Sequence, residues 1–308
     1  VVVCSRPGPT SKADCLNHIY RHIEDREWRG AAHHELVMLH DAEDTLHPSS
    51  LALVNWYAQS YGMVQVPVLP FPTRLAEWVH GVYCDEFAEF LSRDMRLRQD
   101  AGAFLPSNGV GTAIRREYLD ALRDAQDGLL FDPDCLTEDY ELGMKLAEAG
   151  CPQILLPLTR KYGDLLATRE YFPRTFGAAA RQRARWISGQ CLQSWERHGW
   201  PLKRSSSYWF WRDRKGLWGN PLSLAALVLL ALSAIAWVAP ESTFLGPWLW
   251  LAGSIPGADK LYAACTLLAV ERIAVRMFLV SRVYGFRFAL GVPLRMVLSP
   301  AINAQATA

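Results

Sequence analysis

Short apolar runs alternate with amphipathic stretches from residue 1 to about residue 200. Apolar runs bounded by turn residues predict strands, and apolar positions spaced three or four residues apart predict helices. Their alternation is typical of an α/β domain. The predicted strands are residues 1–4, 36–39, 63–69, 110–114 and 154–158, and the predicted helices are residues 11–23, 48–61, 85–95, 139–149 and 172–195.

The pattern changes after residue 200, where aromatic and basic residues precede a long apolar run. Residues 222–238 contain only Ser223 and Ser233 as polar side chains. At about 1.5 Å per residue this run, with its margins, is long enough to cross a bilayer. Flanking Trp, Arg and Lys are typical of the cytoplasmic membrane interface. We expect a transmembrane helix at residues 220–239, with a buried core helix as the alternative.

The last part of the chain is less regular. Residues 244–255 are apolar but short, and residues 261–283 are interrupted by charged side chains that would be costly in the middle of a bilayer. These charges are Glu271, Arg272, Arg276 and Arg282. We expect a second crossing followed by amphipathic interface helices. The predicted organisation is an α/β domain at residues 1–205 and a membrane region at residues 206–308.

Charge and cysteine content argue against two classes of protein, nucleic-acid-binding proteins and proteins built on a disulfide framework. The 32 basic and 31 acidic residues balance, which argues against a nucleic-acid-binding protein. The 7 cysteines show no CxxC pair and no metal-ligand spacing, so we expect reduced thiols in the cytosol. The chain opens on three valines without an initiator methionine, which predicts that at least one N-terminal strand is missing.

An acidic group follows the predicted strand at residues 36–39. Its members are Asp41, Glu43 and Asp44. Ligands of open α/β sheets collect at the carboxyl ends of strands, and carboxylates there suit Mg²⁺ or Mn²⁺ bridging phosphate oxygens. Taken alone, a solvated acidic turn is the commoner explanation of such a group.

A second acidic group begins the predicted helix at residues 139–149. Thr137 would cap this helix, and Glu138 and Asp139 would favour its positive end. A carboxylate in this place could instead be a general base that takes a proton from a sugar hydroxyl. Taken singly, capping is the simpler explanation.

A basic and aromatic group lies on the predicted helix at residues 172–195. Gln182, Arg185 and Trp186 are spaced to share one face. They offer an amide, a planar cation for a diphosphate and an indole on which a sugar can stack. A solvated basic helix with one buried tryptophan is the alternative.

Lys12 lies in the first turn of the first predicted helix, where it opposes the helix macrodipole. Local misfits of this kind often have a functional reason. With the backbone donors of the preceding glycine-containing turn, its ammonium could hold a phosphate.

The order of these four groups resembles the membrane glycosyltransferases of family 2, which include cellulose, chitin and hyaluronan synthases. The matching motifs are Lys-Ala ending in Leu-Asn, D-x-[DE] after a strand, Thr-Glu-Asp, and Gln-x-x-Arg-Trp followed by apolar helices. Their wording is most similar to the bacteriophage adsorption protein group of that family. Each motif alone is weak evidence for this family, but the four motifs in the same order are strong evidence for the resemblance.

The resemblance implies a GT-A fold, a Rossmann-like domain that transfers sugars from nucleotide diphosphates, followed by membrane helices. It implies Mg²⁺ or Mn²⁺ as cofactor and a set of site residues. These are Asp139 with Glu138 for catalysis; Lys12, Asp41, Gln182 and Arg185 for the donor and its diphosphate; Ser107, Asn108, Gly109 and Trp186 for the acceptor; and Asp41, Glu43 and Asp44 for the metal. Two departures matter, because Glu43 replaces the usual second aspartate, and the acidic residue that relatives use for uracil is absent.

The resemblance also implies partners and a location. We expect a nucleotide-sugar donor, by analogy a UDP-sugar, a saccharide or lipid-linked acceptor, and an outer-membrane export partner. The location implied is the inner membrane, with the catalytic domain cytoplasmic. The rival hypotheses are a catalytically silent receptor or scaffold, an enzyme that loads one sugar onto a lipid phosphate, and, less favoured, a transporter.

Overall fold

The structure is a computed structural model that describes residues 1–4, 7–126, 128–161, 163–201, 203–238 and 254–308. The contacts within the chain divide it into two units, each discontinuous in sequence. The first unit consists of Val1–Phe71, Phe90–Tyr171 and Arg185–Arg214, and the second of Pro72–Glu89, Phe172–Ala184 and Lys215–Ala308. The expected division into a domain at residues 1–205 and a membrane region remains a prediction.

The strands of the first unit form a mixed arrangement. They are β1 (Leu36–Leu39), β2 (Met63–Gln65), β3 (Val68–Pro70), β4 (Thr112–Arg115), β5 (Gln153–Leu155), β6 (Arg160–Lys161), β7 (Asp164–Leu165) and β8 (Thr168–Glu170). The main sheet has the order β1-β4-β2-β5, in which β4 is antiparallel to β1 and β2, and β2 is parallel to β5. A parallel pair, β3 with β8, and an antiparallel pair, β6 with β7, lie apart from it. The mixed sheet with flanking helices confirms the predicted α/β class.

The described residues form more helices than predicted. They are α1 (Lys12–Trp28), α2 (Ser50–Tyr57), α3 (Trp78–Glu89), α4 (Met95–Asp100), α5 (Arg116–Asp124), α6 (Glu138–Glu148), α7 (Phe176–Ile187), α8 (Ser194–His198), α9 (Arg204–Arg214), α10 (Gly216–Val238), α11 (Ala258–Tyr284), α12 (Phe286–Ala289) and α13 (Val292–Thr307). Two π-helical segments, Phe90–Asp94 and Ser188–Gln193, continue α3 and α7. The predicted helices at residues 85–95 and 172–195 therefore contain wider turns.

Two predicted strands are wrong in extent. Residues 1–4 adopt no strand conformation, because they enter none of the ladders among the described residues. The single predicted strand at residues 63–69 is two strands in different sheets, β2 and β3. The break falls at Pro67, which has no backbone N–H to continue a ladder.

The core of the first unit is built on the apolar faces of the main sheet. Val64 of β2 and Ala113 of β4 pack with Val54 of α2, and all three are buried. Partly buried residues of β1, Leu36 and Met38, pack against the same cluster. This packing places the carboxyl end of β1 at the turn that carries the acidic residues 41–44.

One helix among the described residues is long and apolar enough to cross a membrane. The span is Gly216–Ser233 of α10, with a mean hydropathy of 1.5 and none of the window buried. It supports the predicted transmembrane helix at residues 220–239 up to Val238, and residue 239 lies outside the described residues. Most of the predicted second crossing, residues 244–253, also lies outside them.

Two arginines in the last part of the chain, Arg276 and Arg295, form ion pairs within the second unit. Arg295 of α13 donates two hydrogen bonds to Asp85 of α3, at 2.7 and 2.8 Å. Arg276 of α11 donates to Glu89 of α3 at 2.6 Å. All four side chains are buried. These arginines therefore serve the packing of α3, α11 and α13, so they cannot be counted simply as exposed charges beside a membrane.

The basic residues that precede α10 are also engaged. Arg212 donates to Asp94 at 2.6 Å, and Arg214 is buried with its guanidinium over the ring of Phe210. Lys215 is exposed. The positive charge available to a membrane surface at this point is smaller than the sequence suggested.

Candidate active site

Helix α1 begins with a capping box that fixes the position of Lys12. The Ser11 hydroxyl accepts from the backbone N–H of Asp14, and the Asp14 carboxylate accepts from the backbone N–H of Ser11. Lys12 follows directly, and its Nζ lies 2.6 Å from Asp41 Oδ1. Burial opposes the charge of Lys12, but Asp41, with Glu138 and Asp139 as more distant charges, raises its pKa. The misfit predicted for Lys12 is thus compensated by carboxylates from two other segments.

Asn17, in the same motif as Lys12, has a structural role. Its side chain is buried, accepts from the backbone N–H groups of Leu130 and Phe131, and donates to the carbonyl of Phe131 at 2.6 Å. These bonds anchor α1 to the segment that leads into Thr137-Glu138-Asp139.

The acidic turn after β1 separates its carboxylates into two kinds. The side chain of Asp44 is fully buried, and its Oδ2 accepts from the backbone N–H of Asp41 at 2.9 Å and interacts with Nδ1 of His40 at 3.0 Å. Its Oδ1 is buried and has no hydrogen-bond partner. Asp41 is about one-third exposed and Glu43 is exposed. Asp44 therefore shapes the turn, while Asp41 and Glu43 face outward.

Asp139 lies in the first turn of α6 and is partly buried. Burial, and then the charge of Glu138, raise its pKa to about 6. A hydrogen bond from the backbone N–H of Tyr140, at 2.7 Å, and the charges of Lys12 and Arg185 act in the opposite direction. Lys12 and Arg185 therefore act on one carboxylate from two different helices.

The segment Ser107-Asn108-Gly109 lies against Asp139. Gly109 has a φ of +74°, and a Cβ at this position would lie 2.8 Å from Asp139 Oδ2. The absence of a side chain allows the backbone to approach the carboxylate this closely. Ser107 accepts from the backbone N–H of Gly109, and the amide nitrogen of Asn108 is buried without a hydrogen-bond partner.

Buried polar side chains that the sequence analysis missed hold this segment in place. Gln65 of β2 accepts from the Asn108 backbone N–H at 3.0 Å and from the Thr112 hydroxyl at 2.7 Å, and donates to the carbonyl of Val110 at 2.9 Å. A polar residue inside an apolar strand was the available signal, because a buried amide requires partners.

Two further glycines bring the motifs together. A Cβ on Gly143 of α6 would lie 2.3 Å from the carbonyl oxygen of Leu105, and one on Gly189 would lie 2.4 Å from the hydroxyl of Thr137. The backbone of the π-helical segment after α7 therefore packs on the Thr-Glu-Asp motif. Both glycines lie inside helical segments, where a glycine is an indication of close packing against another backbone.

The Gln-x-x-Arg-Trp residues fall on α7. Arg185 is exposed and donates to the carbonyl of Leu136 at 3.4 Å, beside Thr137. Trp186 is partly buried. Gln182 belongs to the second unit, so its place in the site remains a prediction. Arg183, on another face, pairs with Glu86 of α3 at 2.7 Å and is buried.

Glu170, at the end of β8, is a site residue that the sequence analysis did not identify. Thr45 and Arg169 form an antiparallel bridge through two backbone hydrogen bonds of 2.9 Å, which brings Asp44 and Glu170 to adjoining positions. Burial and the charges of Asp44, Asp41 and Glu43 raise the pKa of Glu170 to about 7. This carboxyl group therefore belongs to the acidic cluster.

The Mg²⁺ or Mn²⁺ expected at this acidic cluster remains a prediction. Among the residues that the structure describes, no three His, Cys, Asp or Glu side chains are arranged to enclose an ion. Mg²⁺ at a nucleotide is commonly held by one or two carboxylates, with phosphate oxygens and water completing its shell. Four neighbouring carboxyl groups against Lys12, and the unpartnered Oδ1 of Asp44, suit such a cation.

Comparison with known proteins identifies the family of this chain. The sequence pattern described as "Glycosyltransferase like family 2" matches residues 1–189. The chain belongs to this family. Its match covers the strands β1 to β8 and the four motif groups, so the family 2 domain includes the convergence of Lys12, Asp41, Asp139 and Arg185.

Similar proteins extend the likeness beyond the family 2 domain. The chain is 36% identical over 325 aligned residues to "Bacteriophage adsorption protein B" of Escherichia coli K12, with 99% of this chain and 43% of that protein covered. The same figures apply to "Bacteriophage N4 adsorption protein B" of Escherichia coli O157:H7. The chain thus spans less than half the length of these relatives. The predicted resemblance to family 2 and to the adsorption protein group is confirmed.

Proposed function

We propose that this chain carries the active site of an inverting glycosyltransferase that takes a sugar from a nucleotide diphosphate, with a UDP-sugar as the expected donor. The observation that supports it is the convergence of Lys12, Asp41, Asp139 and Arg185 from four separate segments. Capping or a solvated turn would explain each residue singly. Neither explains why two cations and two carboxylates from four segments interact, with one of the carboxylates, Asp139, against the backbone of Gly109.

Asp139 is proposed as the general base. A pKa of about 6 leaves it ionised at neutral pH and more basic than an ordinary aspartate. It would accept the proton of the acceptor hydroxyl while the hydroxyl oxygen bonds to the anomeric carbon. The bond from that carbon to the diphosphate oxygen breaks in the same displacement, which inverts the configuration. The Tyr140 N–H holds one carboxylate oxygen and leaves the other facing Gly109.

The departing diphosphate requires positive charge. Lys12 and Arg185 would supply it from two sides, since charge-assisted hydrogen bonds to phosphate are among the strongest available. Asp41 and Glu43 would hold Mg²⁺ or Mn²⁺, which when bound neutralises charge on the phosphate oxygens. Asp44 would shape this turn rather than coordinate the ion through Oδ2, because its Oδ2 already accepts from the backbone of Asp41.

The acceptor is proposed to lie beside Ser107, Asn108 and Gly109, where the free amide of Asn108 can donate to a sugar hydroxyl. Trp186 offers an indole for stacking and Gln182 an amide. Their place follows from the motif order, with Arg185 on the same helix and hydrogen-bonded beside Thr137.

The proposed setting is the inner membrane, with the site on the cytoplasmic face and α10 as the anchor. The apolar span of α10 supports the anchor. The acceptor would be a growing surface polysaccharide or a lipid-linked saccharide, passed to an outer-membrane export partner. This part of the proposal rests on the family resemblance.

A catalytically silent receptor is the second candidate. The printed names of the relatives describe bacteriophage adsorption, and a receptor could keep the fold without transfer. The acidic cluster argues for activity, because neighbouring carboxylates repel one another and a surface receptor has no use for them.

The test uses membranes that contain the intact protein, incubated with a panel of UDP-sugars with and without Mg²⁺ or Mn²⁺. We expect metal-dependent transfer from one donor. Asp139→Asn should reduce transfer at least about a hundredfold while donor binding persists. The matched control is Glu148→Gln, an exposed position on the same helix. Transfer by the Asp139→Asn protein would rule out Asp139 as the general base. Absence of transfer with every donor tested would favour the receptor hypothesis. A single-sugar product would identify a lipid-phosphate enzyme.

A further inference from the structure

Two thiols meet at the start of α1, outside the proposed catalytic residues. Cys4 donates to Cys15, with the sulfur atoms 3.7 Å apart, and both residues are partly buried. The remaining described cysteines include Cys84 and Cys151, which are buried, and Cys265, which is exposed.

The surrounding structure holds both thiols in place. The carbonyl of Val3 lies 3.0 Å from Nε2 of His18, one turn beyond Cys15, so the segment before Cys4 is attached to α1. The hydroxyl of Thr10 lies 3.6 Å from the sulfur of Cys15. The capping box of Ser11 fixes the first helical turn. The Val3–His18 contact and the capping box do not involve the thiols, so they position the two sulfur atoms independently of the contact between them.

We propose that Cys4 and Cys15 are a reversible dithiol–disulfide site that reacts with low-molecular-weight disulfides such as glutathione disulfide. One protein thiolate attacks the glutathione disulfide and releases one glutathione thiolate. The second protein thiolate attacks the mixed disulfide, forms the Cys4–Cys15 bond and releases the second glutathione. Two protein thiols are oxidised, one glutathione disulfide is reduced to two glutathione molecules, and the two thiol protons pass to the released thiolates.

The bond requires only a small movement. A disulfide holds its sulfur atoms about 2.05 Å apart, so the first turn of α1 or the segment at Cys4 must close the remaining gap. Lys12 lies three residues before Cys15 in that turn. The oxidised form therefore alters the position from which Lys12 contacts Asp41, and this consequence rests on the proposed donor site.

The site is tested on the full-length protein by mass spectrometry of its tryptic peptides, without any activity measurement. Trypsin cleaves after Lys12 and so separates Cys4 from Cys15. After treatment with excess glutathione disulfide we expect a crosslinked peptide pair that dithiothreitol separates. Cys4→Ser and Cys15→Ser should each abolish the crosslink, and Cys265→Ser should leave it unchanged. The proposal would be overturned if both thiols could still be alkylated after the glutathione disulfide treatment, or if each carried glutathione without a crosslink.

A second measurement tests the link to Lys12. The crosslinked protein should show a donor KM about threefold or more above that of the reduced protein, a difference removed by dithiothreitol and absent in Cys4→Ser. An unchanged KM at complete crosslinking would refute the effect on Lys12. If no transfer occurs in either state, the proposed function fails, whereas the crosslink result still decides the disulfide.

Discussion

Substituting Gly109 by alanine would disturb the proposed base without removing any functional group. Gly109 has a φ of +74°, a conformation that residues with a Cβ rarely adopt. The new Cβ would lie 2.8 Å from Asp139 Oδ2 and 3.3 Å from Asp139 Cβ. Either the carboxylate or the backbone of the segment must therefore move.

The expected magnitude has two parts. The left-handed conformation costs about 1–2 kcal/mol for an L-residue, which lowers the free energy of unfolding. Restoring ordinary contact requires a shift of about half an ångström, and misplacement on the scale of 1 Å can cost about a hundredfold in rate. We expect Gly109→Ala to lower kcat about ten- to a hundredfold, with a much smaller change in donor KM.

Gly150→Ala is the matched control. Gly150 also has a positive φ, +79°, but no atom lies within 4 Å of its added Cβ. Thermal unfolding should show a similar loss of stability in both variants, and the transfer assay should show a loss of kcat only in Gly109→Ala. Equal kcat in the two variants would refute the contact between Gly109 and the base.

Three further predictions concern other parts of the molecule. Asp139 must be ionised to accept a proton, and its pKa is about 6. The transfer rate should therefore be constant above that pH and fall about tenfold per pH unit below it. A transfer rate that is unchanged down to pH 5 would contradict this prediction. Arg295→Met should lower the free energy of unfolding by about 3–5 kcal/mol because Asp85 stays buried without its partner. In the same denaturation assay, Arg287→Met, at an exposed position, should change the free energy of unfolding little. Leu230→Arg places a charge in the exposed apolar surface of α10, at a cost of about 2.5–3.5 kcal/mol in a bilayer. Alkaline carbonate should therefore extract this variant from membranes. Unchanged retention of the variant in the membrane fraction would refute the membrane span.

The sequence by itself determined the α/β class, the family and four charged members of the candidate site, Lys12, Asp41, Asp139 and Arg185. Strands β1 and β4 and helix α6 follow from local apolar patterns, and Lys12, Asp41 and Asp139 follow from the order of the motifs. These features were predictable because they depend on neighbours in sequence, through periodicity, capping and strand ends.

Only the tertiary structure decided how those residues act. The backbone of β8 beside the acidic turn brings Glu170 to Asp44, and no pattern within either segment indicates that pairing. The split of residues 63–69 into β2 and β3 depended on which sheet each half joined. The roles of Gly109 and Gln65, and the pairing of Arg295 with Asp85, depend on contacts between segments distant in sequence. A local pattern records which side chains are present, whereas burial and charge at a site are set by residues that only folding brings together.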